Sequence, residues 1–109
     1  MSYEAVLAVS FKRDFKRLAK KYRSLNGELD SLISSLEENP IQGNSLGRSC
    51  YKIRLAIKSK GTGKSGEARV VTYVVTEDEQ VILLTIYDKK DKADLDPGEL
   101  DALLSDISE

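Results

Sequence analysis

Histidine is absent from this chain of 109 residues, and cysteine occurs once, at position 50. Without an imidazole there is no Ser-His-Asp or Cys-His triad, no histidine acid or base, and no ordinary zinc site. Catalysis, if any, falls to lysine, arginine, tyrosine or carboxylates. The lone Cys50 excludes an internal disulfide, fits a reducing cytoplasm and reads as a small buried side chain. No apolar run approaches the length of a membrane span, and the start MSYEAVLAVSFKRDF lacks the basic-then-apolar block and small-residue cleavage site of a secretion signal. Repeats and low-complexity segments are also missing. These absences point to a soluble, cytoplasmic protein with no membrane span and no ordinary zinc site.

Charged residues make up 32% of the chain and hydrophobic ones 40%, a globular composition, and the length suits one domain, 1–109, around one core. The net charge of −1 conceals an asymmetry. Residues 93–109 hold six acids (Asp94, Asp96, Glu99, Asp101, Asp106, Glu109) and no Lys or Arg, which leaves 17 basic and 12 acidic residues in positions 1–92. Such a tail is either a solvated helix or a segment that lies near the basic part and competes with a polyanion.

Most of the functional information sits in residues 48–75, RSCYKIRLAIKSKGTGKSGEARVVTYVV. Side chains of a strand point alternately to its two faces, so Tyr51, Ile53, Leu55 and Ile57 share one face and Lys52, Arg54, Ala56 and Lys58 the other. Seven basic residues in the stretch (Arg48, Lys52, Arg54, Lys58, Lys60, Lys64, Arg69) face a single acid, Glu67, which makes a polyanion the natural partner. The loop Gly61-Thr62-Gly63-Lys64-Ser65-Gly66 contains the Gly-Lys-Ser of a nucleotide-binding loop, but Lys58 stands where that motif needs glycine. The loop also leads into a strand, so no helix N-terminus waits for a phosphate, and no nucleotide cofactor is expected. Its glycines read as hairpin freedom, with Lys60 and Lys64 placed to fold over a phosphate.

Taken in order, Tyr3–Val9 reads as a short strand and Ser10 as the cap of a helix whose apolar stripe is Phe11, Phe15, Leu18 and Tyr22. Lys12, Arg13, Lys16, Arg17, Lys20, Lys21 and Arg23 cover the rest of that helix, either as a solvated flank or as a contact for phosphates. A break at Ser24-Leu25-Asn26-Gly27 and the stripe Leu29, Leu32, Ile33, Leu36 complete an antiparallel helical hairpin that ends before Pro40. Residues 41–47 read as a loop. Strands at 68–75 and 81–87 follow, joined by a turn at Glu77-Asp78-Glu79, and short connections make an antiparallel meander. With the hairpin over Ile53, Leu55, Ile57, Val70, Val74, Ile82, Leu84 and Ile86, pleat parity sends Lys52, Arg54, Arg69, Tyr73 and Tyr87 together to the opposite, open face. Asp96-Pro97-Gly98-Glu99 starts a last helix with the stripe Leu100, Leu103, Leu104, Ile107. The expected fold is α+β, in the order β-α-α-β-β-β-α, a small antiparallel twisted sheet packed on an N-terminal helical hairpin.

A cationic face bearing tyrosines suits phosphodiester cleavage in which the nucleophile is RNA's own 2′-hydroxyl, since the protein then aligns, neutralises charge and moves protons. A lysine crowded by other cations can serve as base, and a tyrosine can stack on a nucleobase or protonate the leaving 5′-oxygen. Tyr87 reads equally as an ordinary strand-end aromatic.

The helical hairpin, then KIRLAIKSKGTGKSGEAR-VV, then VILLTIYDKKDKADL resembles the RelE/ParE toxin superfamily, in its HigB/RelE-like branch, over nearly the whole chain. The most specific pieces are Ser-Gly-x-x-Arg at Ser65–Arg69 and Ile86-Tyr87-x-Lys89, followed by an Asp-Leu before the final helix. The resemblance implies a toxin of a type II toxin-antitoxin system, encoded beside a cognate antitoxin. It implies metal-independent, cofactor-free mRNA cleavage by 2′-hydroxyl attack, usually in the decoding site of the ribosome. By motif position it makes Arg54, Arg69 and Tyr87 catalytic, with Arg69 on the scissile phosphate. Lys52, Lys58, Lys60, Lys64 and Lys89 become RNA contacts, and the lysines compete for their individual roles. The antitoxin would cover the cationic face or displace the last helix. Two departures stand out: Glu67, where relatives usually have a small residue, and the acidic tail. The other readings of such a chain are a ParE-like inhibitor of DNA gyrase and a non-catalytic homologue that binds only RNA or its antitoxin.

Overall fold

The computed structural model describes residues 2–58 and 66–107. Within them the chain forms β1 (Glu4–Leu7), α1 (Val9–Lys21), α2 (Leu25–Glu38), β2 (Asn44–Gly47), β3 (Cys50–Ala56), β4 (Glu67–Val75), β5 (Gln80–Asp88) and α3 (Glu99–Ile107). Lys60, Lys64 and most of the glycine-rich loop lie outside the described residues.

The α1 stripe packs as its spacing requires. Phe11 is fully buried and stacks on Phe15 with ring centroids 5.9 Å apart, while Leu18 and Tyr22 continue the same face into the core. Two boundaries differ from the sequence expectation. Helix α1 starts one residue before Ser10, which is buried and spends its hydroxyl elsewhere, donating to the Leu84 carbonyl at 2.6 Å. The break between the helices falls at Tyr22–Ser24, and Leu25, Asn26 and Gly27 already form the first turn of α2, because Leu25 is needed in the core with Leu29, Leu32 and Leu36. Helix α2 stops at Glu38, two residues before Pro40, as proline demands.

The sheet runs β1-β5-β4-β3-β2. Strands β3, β4 and β5 form the expected antiparallel meander on an α+β plan. The sheet is mixed rather than wholly antiparallel, because β1 pairs β5 in parallel, with Glu4 across from Gln80 and Leu7 across from Leu83. That pairing is open to β1 because the intervening elements supply the long crossover a parallel pair needs. The sheet is also one strand wider than expected. Residues 44–47, read as loop, pair with β3 through a two-residue hairpin whose tip, Arg48 and Ser49, has φ of 58° and 63°. Positive φ at both tip residues suits the right-handed twist of the flanking strands but is unfavourable for residues with a Cβ. Just before β2, Gly43 (φ 88°) lies so close to β3 that a Cβ there would sit 2.2 Å from the Lys52 carbonyl oxygen.

Strand β5 carries a register shift opposite Val71 and Thr72: Thr72 pairs with Leu83, Val71 with Thr85, and Leu84 is the extra residue. Up to the bulge, Val81 and Leu83 face the helical hairpin; Leu84 faces the other side; beyond it Ile86 is back under the helices and Tyr87 is opposite. This corrects the expectation that Ile82, Leu84 and Ile86 share the hairpin side, since a bulge resets the count by one. The N-terminal part of α1 is stitched to this irregular segment. Ala8 N–H donates to the Leu83 carbonyl at 3.0 Å, Ser10 to that of Leu84, and the Thr85 hydroxyl to Asp14 at 2.7 Å.

The sheet is therefore buried on both sides. Under α1 and α2 lies the larger cluster, including Ile53, Leu55, Ile57, Val70, Val74, Leu83 and Ile86. On the other face Cys50, Val71, Leu84 and Tyr87 pack against Leu103, with Leu95, Leu100, Leu104 and Ile107 around them. The expected stripe of α3 is thus the lid of a second core, and the face is covered in part where the sequence suggested an open one. No helix among the described residues is long and apolar enough to cross a membrane.

Candidate active site

Arg54, Arg69 and Tyr87 stand in one row across three strands. Arg54 is the direct partner of Arg69 in the β3/β4 ladder, and Arg69 is the direct partner of Tyr87 in the β4/β5 ladder. Direct partners project to the same face and neighbouring strands lie about 4.8 Å apart, so the row spans about 10 Å on the side away from the helical hairpin. The alternation of β3 and β4 fixes the two arginines there, and the Leu84 bulge fixes Tyr87.

Their environments differ. Arg54 is exposed, whereas Arg69 and Tyr87 each keep only 7% of their surface. The Arg69 guanidinium is held by Glu67 at 2.9 Å. That hydrogen bond, with the charges of Arg69, Arg54 and Lys89, outweighs burial and holds the Glu67 carboxyl below its ordinary range, so it is an anion that orients Arg69. The Tyr87 hydroxyl is buried with no hydrogen-bond partner among the described residues. Burial first, then Asp94 and Glu99, push this phenol above its ordinary range against the pull of Arg69. An unpaired buried donor of this kind gains from any acceptor that reaches it.

The segment between β5 and α3 closes over this row. The Lys92 ammonium sits 5.1 Å from the centre of the Tyr87 ring and is bound by Glu99 at 2.8 Å. Burial pushes Glu99 up, but the Lys92 hydrogen bond, the Asp96 N–H at 2.9 Å and the Lys92 charge together hold it down. Asp94 takes Lys52 at 2.5 Å, and Asp101 takes Arg48 at the β2/β3 tip. The acidic tail is thus placed on the cationic face, which decides between the two dispositions open to it from sequence. Beside Tyr87 a cavity of about 310 Å³ is lined by Arg13, Arg17, Thr85, Asp88, Lys92 and Glu99, among others. Among the described residues no cluster of three or more His, Cys, Asp or Glu side chains is placed to hold a metal ion.

The model of the family described as the RelE toxin of the RelE/RelB toxin-antitoxin system matches residues 8–107. The chain belongs to the RelE toxin family. Its fold is similar to that of a double-arginine mutant of the E. coli toxin RelE in the free state, with a TM-score of 0.60 and 20% identity over 97% of this chain and 94% of that one. It is also similar to the intact E. coli RelBE toxin-antitoxin complex, with a TM-score of 0.62 and 19% identity over 80% of this chain and 96% of that one.

On this RelE-family scaffold the sequence-predicted lysines are not all brought together. Lys52 projects on the same face as the row and is engaged by Asp94. Lys89 follows β5, its N–H donating to the Glu67 carbonyl at 3.3 Å, and its charge is felt by the Glu67 carboxylate. Lys58 lies at the other side, beside α2, where its N–H donates to Glu28 at 2.6 Å. Lys92 was not singled out by sequence, and Arg13, Arg17 and Arg48, counted there among the basic residues, were not assigned to the site. Lys92 stands in a charge run without periodicity, and the two arginines of α1 reach Tyr87 only because α1 crosses the bulge.

Proposed function

We propose that this RelE-family chain is a metal-independent mRNA endonuclease, the toxin of a type II pair, acting in the cytoplasm on ribosome-bound message and controlled by a cognate antitoxin. The single observation that carries the reading is the Arg54–Arg69–Tyr87 row, which puts two guanidinium groups next to a protonated, unpartnered phenol. In this mechanism the RNA 2′-oxygen attacks the adjacent phosphorus and gives its proton to a base, for which Lys52 and the loop lysines compete. Arg54 and Arg69 neutralise the charge gathering on the phosphoryl oxygens, where fixed donors act most strongly. As the bond to the 5′-oxygen breaks, Tyr87 protonates it, leaving a 2′,3′-cyclic phosphate and a 5′-hydroxyl.

Similarity to the RelBE complex supports the antitoxin, and the exposed cations support RNA. A second reading, a homologue that binds RNA or antitoxin without cutting, draws on the burial of Arg69 and on the carboxylates that already hold Arg48, Lys52 and Arg69. Translating ribosomes incubated with purified protein separate the two. Cleaved message with cyclic-phosphate ends, abolished when the 2′-hydroxyl at the cut is removed, is the expected result. Intact message, together with wild type and Arg69→Ala proving equally harmless on expression, overturns it.

A further inference from the structure

The solvent side of α1 carries a second cationic surface. Arg13, Lys16, Arg17 and Lys20 recur at i, i+3, i+4 and i+7, opposite the core-facing Phe11, Phe15, Leu18 and Tyr22 stripe, and all four are exposed. Like charges at these spacings repel and weaken a helix, and Glu or Gln would serve helix formation as well while relieving the repulsion. Folding alone therefore gives no reason for the run. The one acid of α1, Asp14, is already shared by Arg13 at 3.6 Å, Arg17 at 3.4 Å and the Thr85 hydroxyl. Lys16 and Lys20 have no carboxylate partner among the described residues, whereas Arg48, Lys52, Arg69 and Lys92 each hold an acid of their own chain.

The stripe also runs into the site. Arg13 and Arg17 line the same cavity as Tyr87 and Lys92, and Lys16 and Lys20 share their helix face outside it. From Arg13 to Lys20 the helix rises about 10 Å. Resting on the endonuclease reading above, we propose that the substrate strand itself, single-stranded RNA with its scissile phosphate at the row, continues through this cavity and along α1. The sugar-phosphate backbone is what is held there, because the four side chains on this exposed helix face bring charge and no aromatic ring for successive bases to stack on.

The test is binding of non-cleavable RNA, methylated at every 2′-oxygen, in oligomers of about 4 and about 12 nucleotides, spanning the usual range of single-strand site sizes. Lys16→Gln/Lys20→Gln removes two cations with helix propensity kept and disturbs no hydrogen bond or ion pair among the described residues. Wild type should bind the long oligomer several-fold more tightly than the short one. The double variant should lose that gain, with a salt slope for the long oligomer shallower by about 1.4, and leave the short oligomer unchanged. Equal loss at both lengths, or no loss at either, overturns the α1 path. Cleavage of the unmethylated message, followed in parallel, keeps the two proposals apart. Cutting by wild type with α1 variants that bind like it leaves the nuclease and removes the path, while length-dependent binding through α1 without cutting does the reverse. Wild type that binds neither oligomer overturns the path, and the nuclease reading falls with it only where the message is left intact as well.

Discussion

Arg69 faces Tyr87 directly across the β4/β5 ladder, and both are buried to the same degree, at 7% exposure. The arginine is oriented by Glu67, the tyrosine by packing against Leu103 and by Lys92 over its ring. Both side chains are thus held by contacts within their own chain, and a cation placed in advance in this way acts most strongly on charge that develops only in a transition state.

Removing the arginine should therefore cost rate more than binding. Arg69→Ala is expected to lower single-turnover cleavage by about 10² to 10³, the usual loss when one preorganised donor is deleted. Arg69→Lys keeps the charge but loses the planar fork that meets Glu67 and a phosphate together, so it should recover only part of the rate. Rapid-quench cleavage of labelled message measures both, and equal rates for Arg69→Lys and Arg69→Ala would show that the fork, not the charge, is what counts.

Tyr87 should titrate late. Burial is the main reason its phenol lies above the ordinary value of about 10. The unfolded chain gives up this proton at lower pH than the folded one, so the stabilisation is complete below about pH 10 and is lost as pH rises through the higher folded value. A difference titration of tyrosinate absorbance between wild type and Tyr87→Phe isolates this group, and a transition at or below pH 10 would contradict the buried, unpartnered hydroxyl. Cleavage by Tyr87→Phe should fall by about 10² to 10⁴, the range for a lost general acid.

The acids over the site make the opposite kind of prediction, a gain. Asp94 and Asp101 hold Lys52 and Arg48, and under the endonuclease proposal a phosphate would have to displace them. Asp94→Asn and Asp101→Asn should each tighten binding of single-stranded RNA and steepen its salt dependence by about 0.7, the increment for one further phosphate contact. Both acids are mostly exposed, so the loss of stability should stay within about 1 kcal/mol. Anisotropy titrations at several salt concentrations read the first effect and chemical denaturation the second.

How much of this was legible in the sequence depended on whether a strand has two different faces. In β3, Ile53 and Leu55 alternate with Lys52 and Arg54, so periodicity alone put the cations opposite the helices. In β4, Ala68, Val70 and Val74 likewise mark the side that Arg69 avoids. Strand β5, VILLTIY, is apolar on both faces because α3 covers the second, so there was no alternation to count and no glycine to flag the bulge. Tyr87 reached its expected face because the bulge at Leu84 offset a parity that began one residue out of step. Strand β2 escaped notice since Leu46 is its only apolar residue and Arg48-Ser49 lacks the Asn-Gly look of a hairpin tip. The ion pairs from Asp94 and Asp101 depend on where α3 docks, and composition says nothing about that.

The bulge itself can be tested through Ser10. Its hydroxyl is buried at 6% exposure and donates to the Leu84 carbonyl, the backbone group of the extra residue, at 2.6 Å. Ser10→Ala removes the donor without adding volume and strands a buried acceptor, which costs about 1 to 3 kcal/mol. The urea midpoint should drop accordingly with an unchanged m-value, since the surface exposed on unfolding is the same. Because Tyr87 owes its facing to the bulge three residues earlier, cleavage should fall along with stability. An unaltered midpoint would mean that Leu84 finds another donor, and the link from Ser10 through the bulge to Tyr87 would then be lost.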